Sequence, residues 1–292
     1  MGKRPPLSLP SAEVLHARDK QHIRLTYVLH FYFNQGTNAS LVERLRTYER
    51  YSPDILDRIQ FVVVDDGSPL KFEIPEFDLN LTWLRITDDI PWNLGGARNL
   101  GVVYAKSDKI LLTDLDHEFP EHTLARAVRM RNTGRRMYRV YRKSKTTGEF
   151  VRLAHANSFL MSRGRFLRLY GYDEEFCGEY GYFGGWLTQF HRYHGSWVLK
   201  LPRKYHCIRH DGAGQNDHDH DLKRDKSHNK ELFWRKRNEV HYWGAEAGHS
   251  RLFLNFRWEV LRDHNRPNRF PPKIDRMWKL RWWFRTLFGT HQ

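Results

Sequence analysis

The feature that most constrains this chain is a repeated local pattern, a short continuous apolar run that stops on acidic residues. Phe61-Val-Val-Val64 runs into Asp65-Asp66-Gly67-Ser68-Pro69, and Lys109-Ile-Leu-Leu-Thr113 runs into Asp114-Leu115-Asp116. An apolar run without polar alternation reads as a strand buried on both faces, the habit of parallel sheets. Two further strands are expected at Arg24–Phe33 and Leu81–Ile86. Helices are expected between them, at Ser40–Tyr48 with Ser40 or Asn38 as cap, and at Leu94–Ala105 behind Gly95-Gly96. Strands alternating with helices predict an α/β domain. Such sheets bind ligands beyond the carboxyl ends of their strands, where both acidic clusters fall.

The rest of the chain is less regular. Residues 1–22 read as a polar lead-in, 23–210 as the α/β domain, and 211–292 as a polar, His/Asp-rich loop followed by a helical extension. Within the domain, a basic hairpin is expected from 137–142 and 150–153 around Thr146–Gly148. A strand at 155–161, a helix at 163–170 and a last strand at Trp197–Pro202 follow. Helical apolar spacing is read across 231–263.

Composition narrows the function classes. With 292 residues, 40% hydrophobic and 28% charged, global disorder is excluded and a buried core is affordable. No apolar run approaches the length of a membrane span, and the N-terminus lacks the apolar stretch of a secretory leader. Two cysteines, Cys177 and Cys207, exclude a disulfide scaffold and a four-thiolate zinc site and fit the cytoplasm. A net charge of +15 points to an anionic partner: nucleic acid, an anionic membrane or a phosphorylated molecule. Nucleic acid is disfavoured because no RNA- or DNA-binding motif is visible. The charge is also local. Residues 131–170 carry eleven Lys or Arg against the single acid Glu149, and residues 251–292 carry ten against three. The first excess suits an anionic acceptor. The second, with Trp278, Trp282 and Trp283 among Lys273–Phe288, reads either as a peripheral membrane segment or as a helix packing its tryptophans on the domain.

Each acidic cluster has two readings when taken alone. Asp114 and Asp116 offer hard oxygen donors suited to Mg2+ or Mn2+, or they form a solvated turn. Asp65-Asp66-Gly67-Ser68 makes a turn, or presents a carboxylate to the imide N–H of uracil or to a ribose hydroxyl. Gly95-Gly96 leaves room for a ligand to approach a helix N-terminus, and Arg98 on its first turn suits a diphosphate.

The motifs VVVDDGSP, DIPWNLGGARNLGVVYA, KILLTDLDHEFP and ANSFLMSRGRFLRLYGYDEEFCGEYG occur in an order that resembles the GT-A glycosyltransferases, specifically the inverting family 2 group. The resemblance spans about residues 24–190. It implies a Rossmann-like, mixed but mostly parallel sheet flanked by helices, with the basic extension added behind it. It implies sugar transfer from a UDP- or GDP-sugar to a hydroxyl of a glycan or lipid-linked acceptor, with Mn2+ or Mg2+ as cofactor. By the same resemblance Asp65, Asp66, Gly67 and Ser68 meet the base or ribose, and Asn93, Arg98 and Asn99 lie near the donor. Asp114 and Asp116 form the DxD motif, with Asp116 the more direct ligand and Asp114 also facing the donor. His210 is the first choice for a third ligand, ahead of His206. By composition the 216–221 NDHDHD run invites a metal reading as well, with a solvated loop that folds over the donor as the preferred one.

One departure stands out. Where the family shows an acid that deprotonates the acceptor, this chain has Tyr182-Phe183, and a phenyl ring takes no proton. Glu179 is the first alternative, then Asp173, Glu174 or Glu175 in the turn before it. An impaired or catalytically silent member is the other.

Overall fold

The computed structural model describes residues 22–131, 133–210, 220–270, 277–280 and 282–283. The N-terminal lead-in, most of the NDHDHD run and most of the aromatic tail therefore lie outside the described residues.

Four strands form the centre: β1 (Leu25–Phe31), β2 (Ile59–Asp65), β3 (Asn80–Ile86) and β4 (Lys109–Thr113). All seven residues of β2 and all five of β4 are buried, as continuous apolar runs require. The four run parallel, β2 between β1 and β3, and β4 on the other side of β1. Further along the chain come β5 (His117–Glu118), β6 (Arg136–Arg139), β7 (Arg142–Ser144), β8 (Phe159–Ser162), β9 (Trp197–Lys200), β10 (Cys207–Arg209) and β11 (Trp258–His264). They complete a mixed eight-stranded sheet, β11-β3-β2-β1-β4-β8-β6-β9, and a small second sheet, β5-β10-β7.

The helices are α1 (Ala39–Glu49), α2 (Pro53–Leu56), α3 (Leu94–Val103), α4 (Glu121–Arg129), α5 (Arg163–Arg168), α6 (Phe183–Tyr193) and α7 (Ser227–Trp243). Alternate residues of the central strands feed two cores. Tyr27, Phe61 and Val63 pack with Leu41 and Leu45 of α1 and Leu124 of α4 on one face. Val28, Val62 and Val64 pack with Leu100 of α3, Trp186 of α6 and Leu232 of α7 on the other. Gly101 lets α3 lie directly on β1, since a Cβ there would sit 2.4 Å from Val28 Cγ1. That close approach brings Arg98 and Asn99 to the strand ends.

Three expectations change. Asn38 stands at the N-cap of α1 but makes no side-chain capping bond; its side chain donates to Glu73 O instead, and Ser40 lies inside the helix. The basic hairpin keeps its turn, with Ser144 N donating to Glu149 O, but its first arm is divided between the two sheets, β6 in one and β7 in the other. The helical reading of 231–263 fails beyond Trp243. Gly244, at φ +89°, ends α7, and Trp258–His264 pairs antiparallel with β3, whose edge would otherwise present unpaired backbone groups. The extension thus contributes a strand to the main sheet. No helix among the described residues is long and apolar enough to cross a membrane.

Candidate active site

Strands β1, β2 and β4 end on one side of the sheet with His30, Asp65-Asp66 and Asp114-Leu115-Asp116. Two strand spacings, about 10 Å, separate the β2 and β4 ends.

Asp114 is the hub. Its Oδ1 accepts from Arg98 Nη2 at 2.5 Å, and its Oδ2 accepts from Asn157 Nδ2 at 3.3 Å and lies 3.7 Å from His155 Nε2. Arg98 is fully buried and also donates to Asn157 O and the Tyr172 hydroxyl. Burial works against its charge, but Tyr172 and Asp114 outweigh burial and hold it above the ordinary guanidinium range. Arg98 therefore acts on the mouth of the site through Asp114, which it fixes in place.

Asp116 turns toward histidine. Its Oδ1 lies 2.6 Å from His117 Nδ1. Burial alone would raise its carboxyl, but His117 and then His155 hold it below the usual carboxylate range. His117 is fully buried and neither of its ring nitrogens makes a hydrogen bond. Its ring centroid is 4.2 Å from that of His155. His155 is hydrogen-bonded through Nδ1 to Ser158 Oγ, which leaves Nε2 facing Asp114. Burial first, then His117 and Arg142, push His155 down to about 2, so its imidazole is neutral. Ligand atoms of Asp114, His117 and His155 all lie within 4.8 Å of one another. A carboxylate, two imidazoles and an unpartnered buried ring nitrogen fit a divalent cation.

His210 lies outside this group. Its Nε2 is 2.8 Å from Glu118 Oε2 and 2.9 Å from Arg44 Nη1, while its backbone N–H donates to Asp116 O. His206 is bonded through Nδ1 to Arg203 O.

At the β2 end the acids divide. Asp65 Oδ1 accepts from Ser68 N at 2.9 Å, and Ser68 Oγ accepts from Phe33 N at 2.9 Å. Gly67, at φ +77°, turns so close to Asp88 that a Cβ would sit 2.8 Å from its carbonyl oxygen. These three build the turn. Asp66 is buried beside Asn93, its Oδ1 has no partner, and burial pushes its carboxyl well above the usual range. It is the acid of this cluster with an oxygen to offer. The loop ahead of α7 borders the same mouth. Asp221 accepts from Asn34 Nδ2, and Trp92, at φ +49°, meets the Tyr180 ring at a tilt, with centroids 4.5 Å apart, and donates to Lys223 O.

The Gly95-Gly96 pair does not leave room for a ligand. A Cβ on Gly96 would fall 2.2 Å from Asn93 Oδ1 and 2.6 Å from Phe256, and one on Gly95 would touch Cys177, Phe183 and Tyr172. The missing side chains admit protein neighbours. Asn99 is likewise internal; its amide donates to Tyr172 O and Glu174 Oε1 and accepts from Tyr172 N.

The acids of the 173–175 turn are engaged elsewhere. Asp173 pairs with Lys236 at 2.7 Å and accepts from Ser250. Glu174 accepts from Asn99 and from the backbone of Leu254 and Asn255. Glu175 pairs with Arg235 and Lys236. Glu179 is exposed; its carbonyl oxygen accepts from Asn229, and its carboxylate enters no hydrogen bond or ion pair among the described residues. Phe183 is buried against Gly95, delivered there by Tyr182 in the left-handed region at φ +64°.

Sequence reasoning missed three residues of the centre. His117 directly follows the acidic triplet and carried the clearest signal. His155 opens the stretch that pairs with β4. His30 is the penultimate residue of β1 and its Nδ1 is unpartnered; burial and then Arg98 lower it to about 4, against Asp114 and Asp116.

A model of the family described as "Glycosyl transferase family 2" matches residues 33–189. Among solved structures, Staphylococcus aureus TarS (1–349) in complex with UDP-GlcNAc is similar with a TM-score of 0.55 at 12% identity, covering 77% of this chain and 69% of that one. The mannosyltransferase PcManGT from Pyrobaculum calidifontis, in complex with GDP-Man and Mn2+, gives 0.47 at 18% identity, with 77% and 63% covered. The catalytic domain of Drosophila β1,4-galactosyltransferase 7 with xylobiose gives 0.46 at 11%, with 73% and 79% covered. At such identities the likeness is one of fold, carried by TarS, and the chain spans less than two thirds of the mannosyltransferase. A search of curated proteins finds no match.

Proposed function

The chain belongs to glycosyl transferase family 2, and on that premise we propose that it moves a sugar from a nucleotide-sugar to an acceptor hydroxyl at the Asp114 centre. The observation that carries this is the hub itself: a carboxylate fixed by a buried arginine, beside two buried imidazoles, at the carboxyl ends of parallel strands. The nucleoside lies toward Asp66, whose unpartnered oxygen suits a base N–H or a ribose hydroxyl. The diphosphate reaches toward Asp114, two strands away.

Asp114, His117 and His155 would hold the divalent cation. Two nitrogen donors favour Mn2+ over Mg2+, which prefers an all-oxygen shell. When bound, such an ion offsets the charge of the departing diphosphate. Asp116, 2.6 Å from His117 Nδ1, places a supporting carboxylate behind that imidazole. Arg98 and Asn157 hold Asp114 in register. For inverting transfer the acceptor proton goes to Glu179, the acid of that region left without a partner. A general base must come within about 3 Å of the proton it takes.

The burial of Phe183 and the engagement of Asp173, Glu174 and Glu175 favour a second reading, a family member that binds donor without turning it over. One experiment addresses both. Melting midpoints are measured with UDP, GDP and their sugars, with and without Mn2+, alongside nucleotide release from each sugar donor. We expect an Mn2+-dependent rise with one nucleotide, lost in Asp114→Asn. Release of that nucleotide supports transfer; a rise without release supports the second reading. No response to any nucleotide sinks both.

A further inference from the structure

The largest excess of charge, in residues 131–170, is not used by the centre described above. Part of it lies beside that centre. In the small sheet Arg142 of β7 stands opposite Cys207 of β10, and Arg209 of β10 stands opposite His117 of β5. Side chains two residues apart on a strand share a face, as do directly opposed ones. Arg142, Arg209 and His117 therefore share a face, the one His117 turns toward Asp114 and His155. Arg142 is half-buried, and its Nε has no hydrogen-bond partner.

The surroundings are crowded with like charge. Burial and then Arg209 lower the Arg142 guanidinium, opposed by Asp116 and Asp114. Burial, then Arg192 and Arg142, lower Arg139, whose guanidinium is bonded to Ala154 O and His155 O. The two acids that offset Arg142 are themselves engaged, Asp114 with Arg98 and Asp116 with His117. Arg142 thus keeps an unpartnered donor beside other arginines.

Position says which group that donor suits. The strand order runs β2, β1, β4, β8, β6, and β7 follows β6 in the chain. In the small sheet the order is β5, β10, β7, so from His117 on β5, next to the β4 end, the arginines step outward through Arg209 on β10 to Arg142 on β7, away from the β2 end where the nucleoside lies and toward the side where the sugar and acceptor come next. Resting on the glycosyltransferase reading, we propose that Arg142 and Arg209 bind an oxyanion carried by the acceptor, phosphate or sulfate in class, and so select an anionic acceptor. Guanidinium forks suit such groups through paired N–H donors.

Inorganic sulfate and glucuronate serve as probes, titrated at constant ionic strength against chloride, with and without saturating UDP and Mn2+. Sulfate should raise the melting midpoint in both conditions. Arg142→Ala/Arg209→Ala should weaken that response at least tenfold while leaving the UDP Kd within twofold. Arg142→Lys, which keeps charge but loses the fork, should fall between and guards against a misfolded double variant. A stronger response to glucuronate than to sulfate would overturn the phosphate or sulfate class in favour of a carboxylate. Competition between UDP and sulfate, or a double variant with weakened UDP binding, would assign these arginines to the donor and overturn the proposal. An undiminished sulfate response in the double variant would also overturn it. Arginine-dependent sulfate binding by a wild-type protein that binds no nucleotide would remove the glycosyltransferase reading and the acceptor assignment with it, leaving an anion site.

Discussion

Lys236→Met separates a structural role for Asp173 from a catalytic one. Lys236 Nζ lies 2.7 Å from Asp173 Oδ2, with 2% of the lysine side chain and none of the aspartate side chain exposed. Burial pushes the Asp173 carboxyl up, but His249 and Lys236 charge, with hydrogen bonds from Lys236 and Ser250, hold it below its ordinary value. Removing one partner of a buried pair strands the other charge and costs about 3–5 kcal/mol. At roughly 2–4 °C per kcal/mol for a domain of this size, the midpoint falls by about 10 °C. Lys236→Met/Asp173→Asn leaves no stranded charge and should recover about 2 kcal/mol or more of that loss. Urea melts of the wild type, both single variants and the double variant give the coupling directly. A Lys236→Met loss under about 1 kcal/mol, or a double variant no better than the single, would refute the buried-pair argument. Turnover adds the functional half. If Asp173 only ties the turn to α7, the double variant keeps its rate within about tenfold; a loss of 10^2–10^4 would return Asp173 to the role of base.

Three further outcomes follow from the same geometry. Gly184→Ala places a Cβ 2.3 Å from Ala156 O and 2.5 Å from Asn157 Oδ1. Overpacking of this kind costs about 1–3 kcal/mol in urea melts, and the displaced Asn157 loosens Asp114, which lowers Mn2+ affinity. Mn2+ at a hundred times its Kd should stabilise the protein by about 2.7 kcal/mol, read as a rise in midpoint that His117→Ala abolishes; a full rise in that variant would exclude His117 as a ligand. Acid should destabilise the fold away from the site as well. Burial first, then Arg165, lowers His191 to about 3, and burial lowers His249 to about 4 against Asp173. Between pH 6.5 and 4 the unfolded chain binds protons at both positions that the folded chain refuses. Stability therefore falls with falling pH, approaching about 1.4 kcal/mol per pH unit for each histidine, and these two add no slope above about pH 7. Urea melts at pH 7.5 and 5 check the sign.

The chain's own order of residues determined the parallel centre of this fold. Continuous runs such as Phe61–Val64 and Ile110–Leu112 bury both faces wherever they go, so their role needs no knowledge of neighbours. The acids that stop them lie at the strand ends for the same local reason. Tertiary structure decided what those acids do. His117 and His155 are far apart in sequence and meet because β8 pairs with β4 beside the residue where β5 begins. Asp173, Glu174 and Asn99 look like site residues by type. Their partners, Lys236, Leu254 and Tyr172, arrive from elements some 60 to 80 residues away and turn them into internal supports. Trp258–His264 carries apolar spacing that a helix would accept, and only the open edge of β3 made it a strand. Local pattern selects the element a segment prefers, whereas a polar side chain's role depends on which partner reaches it first. Burial makes that choice consequential, because a buried carboxylate or imidazole without a partner is costly.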